Sequence, residues 1–225
     1  MKLTTLDLYD LSTCPRRWFK DKPVRDDDSP ARELIRRIFL TKALGREKGW
    51  TPLGIANIWD DLFWQGKDIT QASMDESIRG VLAARKLYRQ LPREGFKVHS
   101  ALQLSTMVQS ATDLGSVGDF LLSYPDRIET WVYGRRTVKE VRKSCLPAVE
   151  HYLIQKKIRG AQDRPFYLVC YYVSTNRMRP IHFRIRDDGN LATNEKQVVH
   201  LCNLARKKID FPSAGDHCLK CKVNC

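Results

Sequence analysis

Apolar residues follow two periodicities along this chain, one helical and one strand-like, and the change comes near residue 95. Upstream, the spacing predicts helices. Ser29-Pro30 reads as a helix start with proline in the first turn, and ARELIRRIFLTKAL continues it with a basic face. Thr51-Pro52 opens another helix carrying Trp59, Leu62 and Phe63. Ser73-x-x-Glu76 is a capping box for a third, whose Ile78, Val81, Leu82 and Arg85 keep helical spacing. Lys20 to Ser29, with its consecutive aspartates, is the one linker-like stretch, and there is no internal repeat.

Downstream, SALQLSTMVQ, SVGDFLLSY and RIETWVYG read as successive strands, with Tyr124-Pro125-Asp126 turning between the last two. Thr137-x-x-Glu140 caps a helix that continues through AVEHYLIQKK, and Pro147 either kinks or restarts it. PFYLVCYYVS and PIHFRIRD are two further strands, and a last helix runs from about Glu195 to Lys208. This order predicts an α+β or α/β domain built around one mixed sheet. We expect a single domain over 1–225: a helical region to about 95, a sheet core over about 96–190, and a C-terminal helix with a cysteine cluster over about 191–225.

Charge changes the picture. Lys and Arg number 39 against 26 Asp and Glu, a formal net charge of +13, which points to a polyanion partner, most often nucleic acid. No apolar run is long enough to span a bilayer, and MKLTTLDLYD does not resemble a signal peptide, so the expected location is intracellular, in the cytoplasm. In a reducing compartment the 7 cysteines argue for metal binding or free thiols over disulfides.

Cys218-x2-Cys221-x3-Cys225 is compact enough for its thiolates to reach one metal centre. A tetrahedral site needs a fourth ligand from elsewhere, and His217 is positioned to replace one cysteine. Zinc and an iron–sulfur cluster both accept four thiolates, so spacing leaves them open. Cys145, Cys170 and Cys202 lie among apolar residues and read as core.

The phrase LSTCPRRWFK, together with FPSAGDHCLKCKVNC at the C-terminus, resembles the cysteine segments of RecB-like PD-(D/E)XK nucleases that carry an iron–sulfur cluster, such as the AddB nuclease domain and CRISPR-associated RecB-like exonucleases. The resemblance implies a restriction-endonuclease-like mixed sheet. It carries Cys14, Cys218, Cys221 and Cys225 over as ligands of a 4Fe-4S cluster, in preference to zinc. It also places Asp119, in Gly115-Ser116-Val117-Gly118-Asp119, as the aspartate of the family's Gly-x-x-Asp motif.

That family's chemistry needs a second acid on the neighbouring strand to hold Mg²⁺ or Mn²⁺, and a lysine two residues beyond it. In RIETWVYGRRT two registers compete. Either Glu129 is the acid and Trp131 takes the lysine position, or Val132-Tyr133-Gly134 aligns with Asp-Tyr-Lys and both groups are missing. The glutamine expected four residues before a helix tyrosine is Ala148, before Tyr152. The motif is therefore degenerate, with Asp119 and Glu129 vestigial candidates and Lys139 or Lys143 the lysines able to replace the lost one.

Arg16, Arg17, Lys20, Arg135, Arg136, Lys139, Arg142 and Lys143 form the expected phosphate-contacting set. Trp18, Phe19 and Trp131 either stack on bases or bury themselves, Trp18 and Phe19 over the metal centre and Trp131 in the core. The expected function is a catalytically inactive, cluster-containing nuclease fold that binds DNA single strands or ends, or serves a helicase, polymerase or recombination complex, as in a phage or mobile element. The alternatives are an active Mg²⁺- or Mn²⁺-dependent exonuclease with a relocated lysine, and a purely structural platform for protein partners.

Overall fold

The computed structural model describes residues 1–15, 52–64, 97–100, 104–134, 136–174 and 179–207, with Trp18, Arg37 and scattered positions between 70 and 89. Arg37 apart, the expected helix after Ser29-Pro30 lies outside the described residues, as do the capping residue Ser73 and the cysteine tail. The chain order is β1 (Lys2–Thr4), α1 (Thr5–Thr13), α2 (Pro52–Phe63), β2 (Lys97–Ser100), β3 (Ser105–Val108), β4 (Thr112–Gly115), β5 (Phe120–Ser123), β6 (Ile128–Tyr133), α3 (Val138–Arg142), α4 (Leu146–Lys157), β7 (Phe166–Ser174), β8 (Arg179–Asp187) and α5 (Leu191–Lys207).

The expected single sheet is in fact two. A five-stranded sheet runs β2-β5-β6-β7-β8, and a three-stranded one runs β1-β4-β3. SALQLSTMVQ is therefore not one strand. Ser100 belongs to β2 in the large sheet, and Ser105–Val108 turns into a hairpin with Thr112–Gly115 in the small one. In the large sheet β2, β5 and β6 are antiparallel, β6 and β7 parallel, and β7 and β8 antiparallel. A parallel pair needs a crossover, which α3 and α4 supply.

The predicted capping box at Thr137 forms, with the Thr137 backbone N–H donating to Glu140 Oε2 at 2.7 Å and the Glu140 N–H to Thr137 Oγ1 at 3.2 Å. Its helix stops at Arg142, however, and α4 restarts at Leu146 with Pro147 in its first turn. A second capping box starts α1: the Thr4 N–H donates to Asp7 Oδ2 at 2.7 Å, and the Asp7 N–H to Thr4 Oγ1 at 3.2 Å.

Helix α4 lies between two cores. On one side Val149, Tyr152 and Leu153 pack with Leu8 and Leu11 of α1, Leu114 of β4, and Val198 and Leu201 of α5. On the other, Leu146 and Ile154 pack with Leu121, Ile128, Val132, Leu168, Cys170 and Ile185 of the large sheet. A helix buried on both sides shows no clean amphipathic stripe, and its polar residues Glu150, His151 and Gln155 are buried with the rest. By strand alternation, Glu129, Trp131 and Tyr133 point to the sheet face opposite Ile128, Thr130 and Val132. That opposite face is aromatic: Tyr171 lies 5.6 Å from Trp131 and 5.4 Å from Tyr133.

Candidate functional site

Asp119 stands just before β5, where its N–H donates to Trp131 O at 2.7 Å. Its carboxylate accepts the Tyr133 N–H at 3.0 Å and the Tyr171 hydroxyl at 2.8 Å. It thus extends the β5–β6 ladder by one rung through its side chain, and it is buried at 3% exposure, not a surface acid. Phe120 pairs with Trp131, so Asp119 faces the Val132–Tyr133 end of β6. Glu129 pairs with Leu122, three residues away along β6, or about 10 Å at strand rise. The strand pairing and the Tyr133 N–H bond set Asp119 against the Val132–Tyr133 end of β6, not against Glu129.

Glu129 is fully buried. Its carboxylate accepts Arg127 Nε at 2.9 Å, Arg184 Nε at 3.2 Å and Trp131 Nε1 at 3.1 Å. The predicted same-face placement of Glu129 and Trp131 is realised, but as a hydrogen bond. Trp131 is 2% exposed, so it fills the core and has no face for stacking on a base. Trp18 is likewise buried, in the core around α1.

The lysine position of the second register is Gly134, at φ +149°, and a Cβ there would lie 2.2 Å from Arg136 Nη1 and 2.9 Å from its Cζ. The same guanidinium donates to Tyr133 O at 3.1 Å. Arg136 therefore occupies the space a side chain at 134 would need. Lys139, Arg142 and Lys143 are exposed on and just after α3. Arg16, Arg17, Phe19, Lys20 and Arg135 lie outside the described residues.

Glu150 is an acid that sequence reading missed. Fully buried on α4, it accepts from Ser116 Oγ at 2.7 Å, from the Val117 N–H at 3.1 Å and from the Thr5 hydroxyl. Burial pushes its carboxyl above the ordinary value, the hydrogen bonds offset part of that, and the Asp119 charge adds to the rise. It joins the start of α1, the loop before Asp119 and the crossover helix. No local signal marks it, because α4 has no polar face against which an inward acid would stand out.

Of the cysteine set, Cys14 is described and Cys218, Cys221 and Cys225 are not, nor is His217. Cys14 caps the C-terminus of α1, its N–H donating to Asp10 O at 3.0 Å, and is 2% exposed. Cys145, Cys170 and Cys202 are buried core residues, as their apolar neighbours suggested, and burial pushes each thiol up to about 11. Among the described residues, no group of three or more His, Cys, Asp or Glu side chains is placed to hold a metal ion, and no helix is long and apolar enough to cross a membrane. No protein-family model matches the sequence, and no curated protein matches it.

Proposed function

We propose that this chain is a nuclease-fold protein that has lost catalysis and binds nucleic acid through its basic surface. The observation that carries the first part is the fate of the two acids. Asp119 caps a strand ladder and Glu129 is shared between two arginines, about 10 Å apart along β6. Two carboxylates so engaged do not converge on one Mg²⁺, and Arg136 fills the space beside Gly134. A restriction-endonuclease-like core is supported by the meander β2-β5-β6, the helical crossover and the parallel β6–β7 pair.

Nucleic-acid binding is supported by the net charge of +13 and by the exposed Lys139, Arg142 and Lys143. Such residues give affinity without sequence choice. On this reading Cys14, Cys218, Cys221 and Cys225 would hold an iron–sulfur cluster, which cross-links the chain. Cys14 fits that role as a buried thiol at a helix end, where its backbone is already fixed.

Two assays test the reading. Incubation of anaerobically purified protein with Mn²⁺ and labelled single- and double-stranded DNA should give no cleavage. Cleavage abolished by Asp119→Ala would establish an active exonuclease instead. Single-stranded DNA should bind with a salt-dependent affinity, and Lys139→Glu with Lys143→Glu should reduce the log–log salt slope by about 0.7 per lost phosphate contact. Absence of binding at low salt would leave the fold as a protein platform.

A further inference from the structure

Strand β8 ends the order of the large sheet, and α3 packs beside it. Between the end of α3, the start of α4 and β8 lies a cavity of about 560 Å³. Three arginines line it: Arg142 at the end of α3, and Arg184 and Arg186 on β8. Arg184 and Arg186 are alternate residues of the strand, so they leave it on the same side. Arg142 is exposed, and its guanidinium makes no hydrogen bond or ion pair among the described residues. Arg184 gives its Nε to Glu129 at 3.2 Å, and Arg186 Nε lies 2.6 Å from Asp188 Oδ1, yet 43% and 56% of these side chains stay exposed. A guanidinium has further donors at its forked end. Neither Arg184 nor Arg186 uses that end in a hydrogen bond among the described residues, and neither Glu129 nor Asp188 lines the cavity.

The lining acid is Asp187, and it is already engaged, with His151 Nδ1 at 2.6 Å and Asn194 Nδ2 at 3.1 Å. Burial alone would raise its carboxyl, but the hydrogen bonds from His151 and Asn194 outweigh it and hold the group below its ordinary value. Ala148 also lines the cavity. It sits in the first turn of α4, at the positive end of a 12-residue helix, and its N–H has no backbone acceptor among the described residues. We propose that this cavity binds a phosphate monoester, as at the end of a nucleic-acid strand, with the forked ends of Arg142, Arg184 and Arg186 donating to its oxygens. Guanidinium forks match phosphate oxygens in pairs. A phosphate monoester carries about two negative charges near neutral pH and a full set of terminal oxygens. A phosphodiester within a strand carries half that charge and enters with a nucleoside on either side, so a cavity bounded by α3, α4 and β8 suits the end. The strand-end form deepens the nucleic-acid reading above and rests on it: Lys139 and Lys143 hold the backbone at any position, and the cavity selects the end. A free nucleotide presents the same group.

The test uses the full chain at fixed low salt. Internally labelled single-stranded DNAs of one sequence, bearing a 5′-phosphate, a 3′-phosphate or hydroxyl ends, are compared by fluorescence anisotropy. The ³¹P resonance of a nucleoside 5′-monophosphate is followed in a separate titration. A phosphorylated end should bind about tenfold tighter than hydroxyl ends, the size expected of hydrogen bonds to a charged group. Arg142→Ala and Arg186→Ala, both at exposed residues, should each reduce that preference to below about threefold, with thermal melts confirming the fold. Lys139→Ala, outside the cavity lining, should weaken all the DNAs alike. Equal binding of all the DNAs overturns the proposal and leaves the nucleic-acid reading standing, and so do folded variants that keep the preference. If no DNA binds but the monophosphate resonance shifts saturably and Arg142→Ala removes the shift, the cavity is a nucleotide site and the nucleic-acid reading falls. Binding of neither overturns both.

Discussion

Glu129→Ala separates a structural acid from a catalytic one. The carboxylate is fully buried and serves Arg127, Arg184 and Trp131 at once. Removing one partner of a buried ion pair costs roughly 3–5 kcal/mol. Here Arg127 and Arg184 keep 33% and 43% side-chain exposure, so each can turn its guanidinium back to water. That relief cuts the charge component to about 2 kcal/mol. The buried Trp131 Nε1 left without an acceptor adds about 1 kcal/mol, for a loss near 3 kcal/mol. Glu129→Gln keeps an acceptor for Trp131 and should cost about 1–2 kcal/mol. In urea, with a slope of about 2 kcal/mol/M, the alanine variant should unfold about 1.5 M earlier at an unchanged slope. An alanine variant as stable as wild type would refute the reasoning. So would a Mn²⁺-dependent cleavage in wild type that Glu129→Gln removes without loss of stability.

Gly134→Lys should confer no nuclease activity and should lower the melting temperature, because φ is +149° and the new Cβ meets Arg136. The β3–β4 turn places Gln109 and Ser110 at φ 48° and 54°; the pair Asn-Gly there should raise stability by about 1–2 kcal/mol in the same urea assay. Asp187 sits below its ordinary 3.8, so its stabilisation is present above that pH and fades as pH falls further; Asp187→Asn should lower stability at neutral pH and flatten the acid limb. Cys145 and Cys170 rise from 9.0 to about 11, so the unfolded chain ionises first and each thiol should lower stability by about 1.4 kcal/mol per pH unit across that window, measured by denaturation under reducing conditions; an alanine at either position should reduce the slope.

What was legible in the sequence was local. The Tyr124-Pro125-Asp126 turn, the Thr137 capping box and the paired strands of β7 and β8 each carry their own signal within a few residues. The small sheet does not. β1 has 3 residues, and it pairs in parallel with β4, so that Leu3 meets Leu114 across about half of the chain's length. Pairing at that separation leaves no periodicity to read, and the Asp-Leu-Gly of β4 resembles a turn. The pairing of Asp119 was not visible either. It took the β5–β6 pairing to set Asp119 against Val132 and Tyr133. The polar residues of α4 escaped for the opposite reason to an exposed site: a helix with core on two sides gives no face on which an inward His or Glu is out of place.

The Glu150 junction bears on what a metal centre would add. Thr5 opens α1, Cys14 closes it, and Glu150 ties Thr5 to the loop Ser116-Val117. Leu8 and Leu11 of the same helix pack against Val198 and Leu201 of α5. The helix that carries Cys14 and the helix that leads toward the cysteine tail are thus already joined by apolar packing. From Lys207 to Cys218 the chain spans 11 residues, up to about 36 Å when extended, so reach does not limit ligation. A cluster on these cysteines would close a contact that the protein interior already makes. Its contribution then comes mainly from restricting the unfolded chain, where it links residues more than 200 apart in sequence. Such a centre would act on stability.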